Sequence, residues 1–202
     1  MSDGPSSRSR ISIDIRIAAG PAAAAWRKAL PNPAATLRKA VRAALRAELP
    51  GTAETALSIL LTDDAEMQKL NAGWRARDKP TNVLSFPAEA VIDPARPPAY
   101  LGDIALGLTT CRTEAKEQGK RFADHLVHLT VHGVLHLIGY DHMTGAEAAA
   151  MEPREVEILR GLGIADPYRL PVRKKTTKKA VKKTVKKTIA GKKAAAARRR
   201  AA

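Results

Sequence analysis

The sequence predicts an α+β fold: a small mixed β-sheet with packed helices and a histidine-bearing helix at its centre. Three observations carry this. Ile11, Ile13, Ile15 and Ile17 alternate with Ser12, Asp14 and Arg16, the pattern of a strand with one buried face. Leu126, Val127, Leu129, Val131, Leu135 and Leu137 recur at helical spacing around His132 and His136, uninterrupted by proline. Strand-like and helix-like stretches follow one another without the regular alternation of a parallel α/β chain.

The elements follow in order. After the Ile11–Ile17 strand comes a Gly-Pro break. Ala18 to Ala25 is rich in small residues, but Gly20 and Pro21 interrupt it and it makes no signal-peptide core. Pro33 to Leu49 places Leu37, Val41 and Leu45 four apart with Ala40 and Ala44 beside them, an amphipathic helix ending near Pro50-Gly51. Ala56 to Leu61 is a second strand. Asp63, with Glu66 three residues on, is a capping-box-like start to a short helix through Met67 and Leu70, which delivers Arg75 into a loop. Thr81 to Phe86 is a strand closed by Pro87, and Val91 to Tyr100, rich in Pro and Ala, is a loop. Gly102 to Leu108 is a fourth strand and Thr109 to Gln118 a polar helix ending at Gly119. The histidine helix follows. Thr144 to Leu162 is the last helix, with Pro153 at its start or at a kink.

The chemistry concentrates in His132-Gly133-Val134-Leu135-His136-Leu137-Ile138-Gly139-Tyr140-Asp141-His142. Helical residues four apart share a face, so His132 and His136 aim two imidazoles at one point. Gly139 suits the left-handed conformation that ends helices, so the chain can turn and return His142 to that point. Three nitrogen ligands with an open fourth position are the arrangement of a catalytic zinc; a structural zinc is closed by four. The alternative is a set of stacked core histidines. Imidazole also suits nickel and copper. His125 and His128 lie on the same face one and two turns earlier, where each braces a ligand from behind, faces substrate or simply packs.

Gly133 narrows the chemistry. Zinc proteases of the H-E-x-x-H type carry, right after the first histidine, a glutamate that serves as general base. Here that position has no side chain. The metal geometry is kept and the protease's proton acceptor is missing, which disfavours a zinc peptidase.

This motif, H-G-x-L-H-L-x-G-Y-D-H as it stands here, resembles that of the bacterial rRNA maturation factor YbeY family. The upstream stretch Asn71-Ala72-Gly73-Trp74-Arg75-Ala76-Arg77-Asp78-Lys79-Pro80-Thr81-Asn82-Val83-Leu84-Ser85-Phe86-Pro87 looks like the family's N-x-x-x-R-x-x-D-x-P-T-[DN]-V-L-S-F-P, and Leu101-Gly102-Asp103-Ile104 is a third match. His125 and His128 also sit at places where family members can carry histidines. The resemblance runs from about Ile11 to Ile164 and leaves out the basic C-terminal stretch. It implies a metal-dependent endoribonuclease of small-subunit (16S) rRNA maturation and ribosome quality control. One Zn2+ per chain would be held by His132, His136 and His142, with Arg75 and His132 catalytic and Arg75 and His128 meeting substrate. By composition alone Arg75 is a solvated arginine in a charged segment with Arg77 and Lys79; the resemblance makes it a catalytic residue. A guanidinium is permanently charged and grips phosphate oxygens bidentately, so one beside a metal can hold a scissile phosphate.

The formal charge of the 202-residue chain is +15. Of its 35 Lys and Arg, 14 lie from Val172 to Ala202 with no Asp or Glu among them, leaving 21 basic residues against 20 acidic ones elsewhere. Residues 1–10 are expected to be flexible, 11–171 to form the catalytic domain, and 172–202 to be a disordered basic tail. Its Lys-Lys doublets recur every four residues and give no fixed apolar seam. The tail is either a solubility device or a polyelectrolyte arm for RNA. The single cysteine, Cys111, excludes an internal disulfide and fits a reducing compartment. No apolar run approaches the roughly 20 residues that span a bilayer, and a cytoplasmic protein is expected. Two function classes remain: a zinc-dependent endoribonuclease, or a ribosome assembly factor whose metal is mainly structural. The oligomeric state is open.

Overall fold

The computed structural model describes residues 10–50, 54–89, 92–93 and 96–169. The expected N-terminal flexible segment, except Arg10, and the expected tail at 172–202 lie outside these residues. The described residues form four strands and six helices, an α+β arrangement. β1 (Arg10–Ile17) is followed by α1 (Pro21–Ala29), α2 (Pro33–Glu48), β2 (Glu54–Thr62) and α3 (Asp64–Arg75). β3 (Val83–Pro87), β4 (Tyr100–Gly107), α4 (Leu108–Glu117), α5 (Phe122–Leu137) and α6 (Gly145–Gly161) complete it.

The sheet has the order β1-β2-β4-β3. β1 and β2 are parallel, as are β2 and β4, and β3 runs antiparallel to β4 at the edge. Alternation along the strands divides the core in two. Leu57, Ile59 and Leu61 of β2 and Ile104 and Leu106 of β4 face α2 and α5, where the main core lies. Leu60, Leu84, Ala105 and Phe86 face the other way, onto Met67 and Leu70 of α3. α5 therefore lies on the inner face of the sheet, between α2, α6 and the β3–β4 edge. Ten of its sixteen residues are buried, which is why its apolar residues run nearly all the way round.

Three details differ from the sequence expectation. α1 was not expected: Pro21 takes the first helical position, where its missing N–H costs nothing, and four alanines follow. The helix is anchored by Trp26, wholly buried, whose indole N–H donates to the Thr62 carbonyl at 2.9 Å. Of the two places expected for Pro153, the start of the last helix is ruled out and the helix interior remains. α6 begins at Gly145, capped by a reciprocal box between Thr144 and Glu147, and Pro153 lies in its interior. Arg75 is not in a loop but is the last residue of α3, before Ala76 in the left-handed conformation.

Candidate metal centre

His125, His128, His132 and His136 lie along one stripe of α5. The helix then ends in a Schellman turn. Gly139, at φ 98°, donates its N–H to the His136 carbonyl, and the Tyr140 N–H reaches the Leu135 carbonyl at 3.0 Å. A side chain at Gly139 would meet no neighbouring atom, so the glycine answers to the backbone conformation alone. The turn reverses the chain and brings His142 back beside the helix end. Ring centroids lie 4.6 Å apart for His132 and His136, 4.9 Å for His136 and His142, and 5.1 Å for His132 and His142. One nitrogen from each of the three lies within 4.8 Å of the others, close enough to hold one metal ion.

The turn is tethered from outside. Tyr140 donates its hydroxyl to Glu48 of α2 at 2.7 Å. Arg154 of α6 grips the same carboxylate through Nε at 2.8 Å and Nη2 at 2.7 Å. Glu48 thus ties two helices to the segment that carries His142.

Glu155 of α6 sets the chemistry of the stripe. Its side chain is fully buried, and burying a carboxylate costs several kcal/mol unless its oxygens are satisfied. His132 Nδ1 lies 2.6 Å from Oε1 and His128 Nε2 lies 3.2 Å from Oε2, while the Tyr168 hydroxyl donates to Oε2. Burial would raise this carboxyl's pKa. The hydrogen bonds to His128 and His132, and the charge of those rings, outweigh it and bring the value down to about 2. Glu155 is therefore a carboxylate that accepts the His132 Nδ1 proton, and that tautomer leaves the lone pair of His132 on Nε2, 3.1 Å from His136 Nε2. Burial and then the neighbouring His132 and His142 push His136 down to about 4, so this ring is neutral near pH 7. Imidazole nitrogens are ordinary ligands of zinc.

The triad opens into a cleft of about 340 Å³, lined also by Arg75, Asn82, Ser85, His128 and Tyr168. Arg75 is exposed, and its guanidinium has no hydrogen-bond or ion-pair partner among the described residues. His128 forms part of the wall with one nitrogen committed to Glu155. His125 is buried outside the cleft and bonds Glu114 at 3.0 Å. Gly133 faces the sheet: a Cβ there would lie 3.1 Å from Ile104 Cδ1 and 3.2 Å from Ser85 Oγ. The absent side chain is thus also what lets α5 sit close to β3 and β4.

Of the residues singled out from sequence, the structure gathers His132, His136, His142, His128 and Arg75 at one cleft and sets His125 apart. Glu155, Tyr168 and the Glu48 tether were missed. Glu155 had a legible signal, an acidic residue within the otherwise apolar Met151, Ile158, Leu159 stripe of α6. Tyr168 and Glu48 had none, since both meet the site through tertiary contacts only.

A family model described as Endoribonuclease YbeY matches residues 26–163. A protein named Endoribonuclease YbeY from Chelativorans sp. (strain BNC1) is 49% identical over 83% of this chain and 99% of its own. Another of that name, from Paramagnetospirillum magneticum, is 48% identical over 78% of this chain and 98% of its own. A solution structure of a Thermotoga maritima protein is 23% identical, with a TM-score of 0.44 over 78% of this chain and 99% of that one.

Proposed function

Because the chain belongs to the YbeY endoribonuclease family, we propose that it is a zinc-dependent endoribonuclease of single-stranded RNA. It acts in maturation of small-subunit 16S rRNA and in ribosome quality control, in the cytoplasm. The observation that carries this is the convergence of three imidazoles and an unpaired guanidinium on one open cleft. The catalytic domain is residues 11–171.

One zinc ion per chain would be held by His132, His136 and His142. When bound it supplies Lewis acidity, polarising a phosphoryl oxygen and acidifying water. The chain's own residues do the rest. Arg75 binds the scissile phosphate, and its guanidinium meets the charge that builds on the phosphoryl oxygens as the bond breaks. It matters more then than in the ground state, which is the condition for raising kcat. His132 is catalytic in a second sense: Glu155 holds its proton at Nδ1 and so fixes the face it turns to the cleft. His128 forms the wall against which the RNA strand lies and braces the other oxygen of Glu155.

The test is single-turnover cleavage of a labelled single-stranded RNA by wild type, Arg75→Ala and Arg75→Lys at matched metal occupancy. Losing one preplaced donor costs about 10²–10³ in rate if the oxyanion-hole scale transfers. Lysine restores part of it, since an ammonium lacks the planar fork. Equal rates for all three remove Arg75 from the mechanism. No cleavage by metal-loaded wild type on several RNAs would favour the assembly-factor role, with the metal mainly structural.

A further inference from the structure

Trp74 stands where tryptophan is seldom left. It occupies the last turn of α3, directly before Arg75, and is 58% exposed, whereas Trp26 is wholly buried. Among the described residues its one ring contact is with Phe86, nearly edge-on, with centroids 5.0 Å apart and planes at 71°. A T-shaped contact leaves at least one indole face free.

The placement gives this ring a purpose. β3 is the edge of the sheet, and its residues alternate between two surfaces. Val83 and Ser85 line the histidine cleft, while Leu84 and Phe86 face α3. One strand therefore separates the cleft from the Trp74–Phe86 pair, and Arg75, next in sequence to Trp74, lines the cleft itself. Arg77 and Lys79 are exposed in the following segment. Asp78, the lone acid there, is bonded by the Gln68 side-chain amide at 2.7 Å.

An open aromatic face amid cations is what a single-stranded nucleic acid meets on its binding platforms: bases stack and phosphates pair. A protein partner would want a broad apolar patch. The other large exposed hydrophobics among the described residues are Tyr100, Met143 and Tyr168. Tyr100 is bonded through its hydroxyl to Ser58 and Asp103, and Tyr168 is bonded to Glu155. None of them is in ring contact with Trp74.

We propose that Trp74 is a base-stacking subsite, holding a base that flanks the phosphate gripped by Arg75 as the strand passes over the β3 edge. This rests on the endoribonuclease function and adds to it a contact with the base, independent of the metal.

The chain has two tryptophans, and Trp26 is sealed in the core, so a change in indole fluorescence on binding reports Trp74. The experiment titrates the full-length, zinc-loaded protein with a 2′-O-methylated single-stranded oligonucleotide and with an abasic chain of the same length. Both carry the same phosphates, so affinity from the basic C-terminal stretch is common to the two. The base-bearing strand is expected to quench the fluorescence and the abasic strand not to. Trp74→Ala is expected to raise KM for cleavage roughly tenfold or more, and Trp74→Phe, which keeps a stacking face, to restore most of that loss. Equal quenching by both strands, or equal KM for wild type and Trp74→Ala, would overturn the subsite. If wild type cleaves RNA while Trp74→Ala is unaltered in KM, stacking falls and the nuclease stands. If only the base-bearing strand quenches and no RNA is cut, the stacking subsite stands and the nuclease falls.

Discussion

Glu155 Oε1 lies 2.6 Å from His132 Nδ1, across the interface between α6 and α5. The carboxylate is wholly buried and shares its second oxygen with His128 and Tyr168, so it fixes the tautomer and the direction of one candidate ligand from behind. Glu155→Gln keeps the shape and removes the charge. The expected result is a 10- to 100-fold loss in zinc affinity, about the usual effect of losing such a partner. Competition with a chromophoric chelator measures it, and unchanged affinity would show that Glu155 serves packing only.

The turn after α5 gives a second expectation. Gly139→Ala meets no neighbouring atom, so its cost is that of placing a Cβ at φ 98°, about 1–2 kcal/mol. The strain sits between His136 and His142. A lower Tm should therefore come with a lower zinc affinity, read by calorimetry and the same chelator competition. A fall in Tm with full zinc affinity would separate the turn from the metal centre.

Much of the frame was legible because its signals are local. The isoleucine alternation of β1, the Leu37, Val41 and Leu45 spacing of α2, the Asp63 start of α3 and the i, i+4 histidines each rest on local signals that the backbone imposes. α1 was hidden because alanines make up most of it and give little apolar contrast along the helix; of its residues Ala22 and Trp26 are buried, in a core that sequence does not display. The convergence of His132, His136 and His142 was legible for the same local reason, through its spacing and Gly139. The groups that govern it were not: Glu155 is 23 residues from His132, and Glu48 is 92 from Tyr140. Such pairings are set by how helices stack.

Acid should loosen the α4–α5 contact. Burial tends to raise the Glu114 pKa, but hydrogen bonds to His125 and Asn82 outweigh it, and the folded-state value lies below the ordinary 4.5. A carboxyl depressed on folding contributes stability that is present above its unfolded pKa and lost as pH falls through the folded one. Stability should thus decline below about pH 4.5. In Glu114→Gln part of that decline should disappear, with lower stability at pH 7. Urea titrations from pH 3 to 7, about the range in which carboxyls titrate, test it; superimposable pH profiles would count against the pair.

Deleting Val172 to Ala202 removes 14 basic residues and none of the cleft residues. If this stretch is an RNA arm, binding should weaken and the slope of log affinity against log salt should become shallower, by about 0.7 per lost phosphate contact on single strands. Zinc content should be unaltered. An unchanged slope would make the tail a bystander in RNA binding.

The last expectation tests nuclease against peptidase at Gly133. Gly133→Glu restores the letter pattern of the zinc-protease helix, and by sequence logic alone it should bring peptidase chemistry with it. The packing says otherwise. A Cβ at this position already lies 3.1 Å and 3.3 Å from two Ile104 carbons and 3.2 Å from Ser85 Oγ, and Ile104 is fully buried in the sheet. Gly133 also receives the Ser85 hydroxyl at its carbonyl, 3.2 Å away, so α5 cannot lift from β3 without breaking that bond. Even Gly133→Ala should cost about 1–3 kcal/mol by overpacking, less any gain in helix propensity. Glutamate adds a carboxylate that must either enter the core or displace the helix bearing His132 and His136. The expected outcome is a graded loss of Tm from glycine to alanine to glutamate, with RNA cleavage falling alongside and no peptide hydrolysis gained. Thermal melts, zinc content and cleavage of a labelled RNA and a casein substrate read it directly. A stable, zinc-loaded Gly133→Glu protein that hydrolyses casein would show that the close packing at Gly133 is not what keeps this cleft from peptide chemistry.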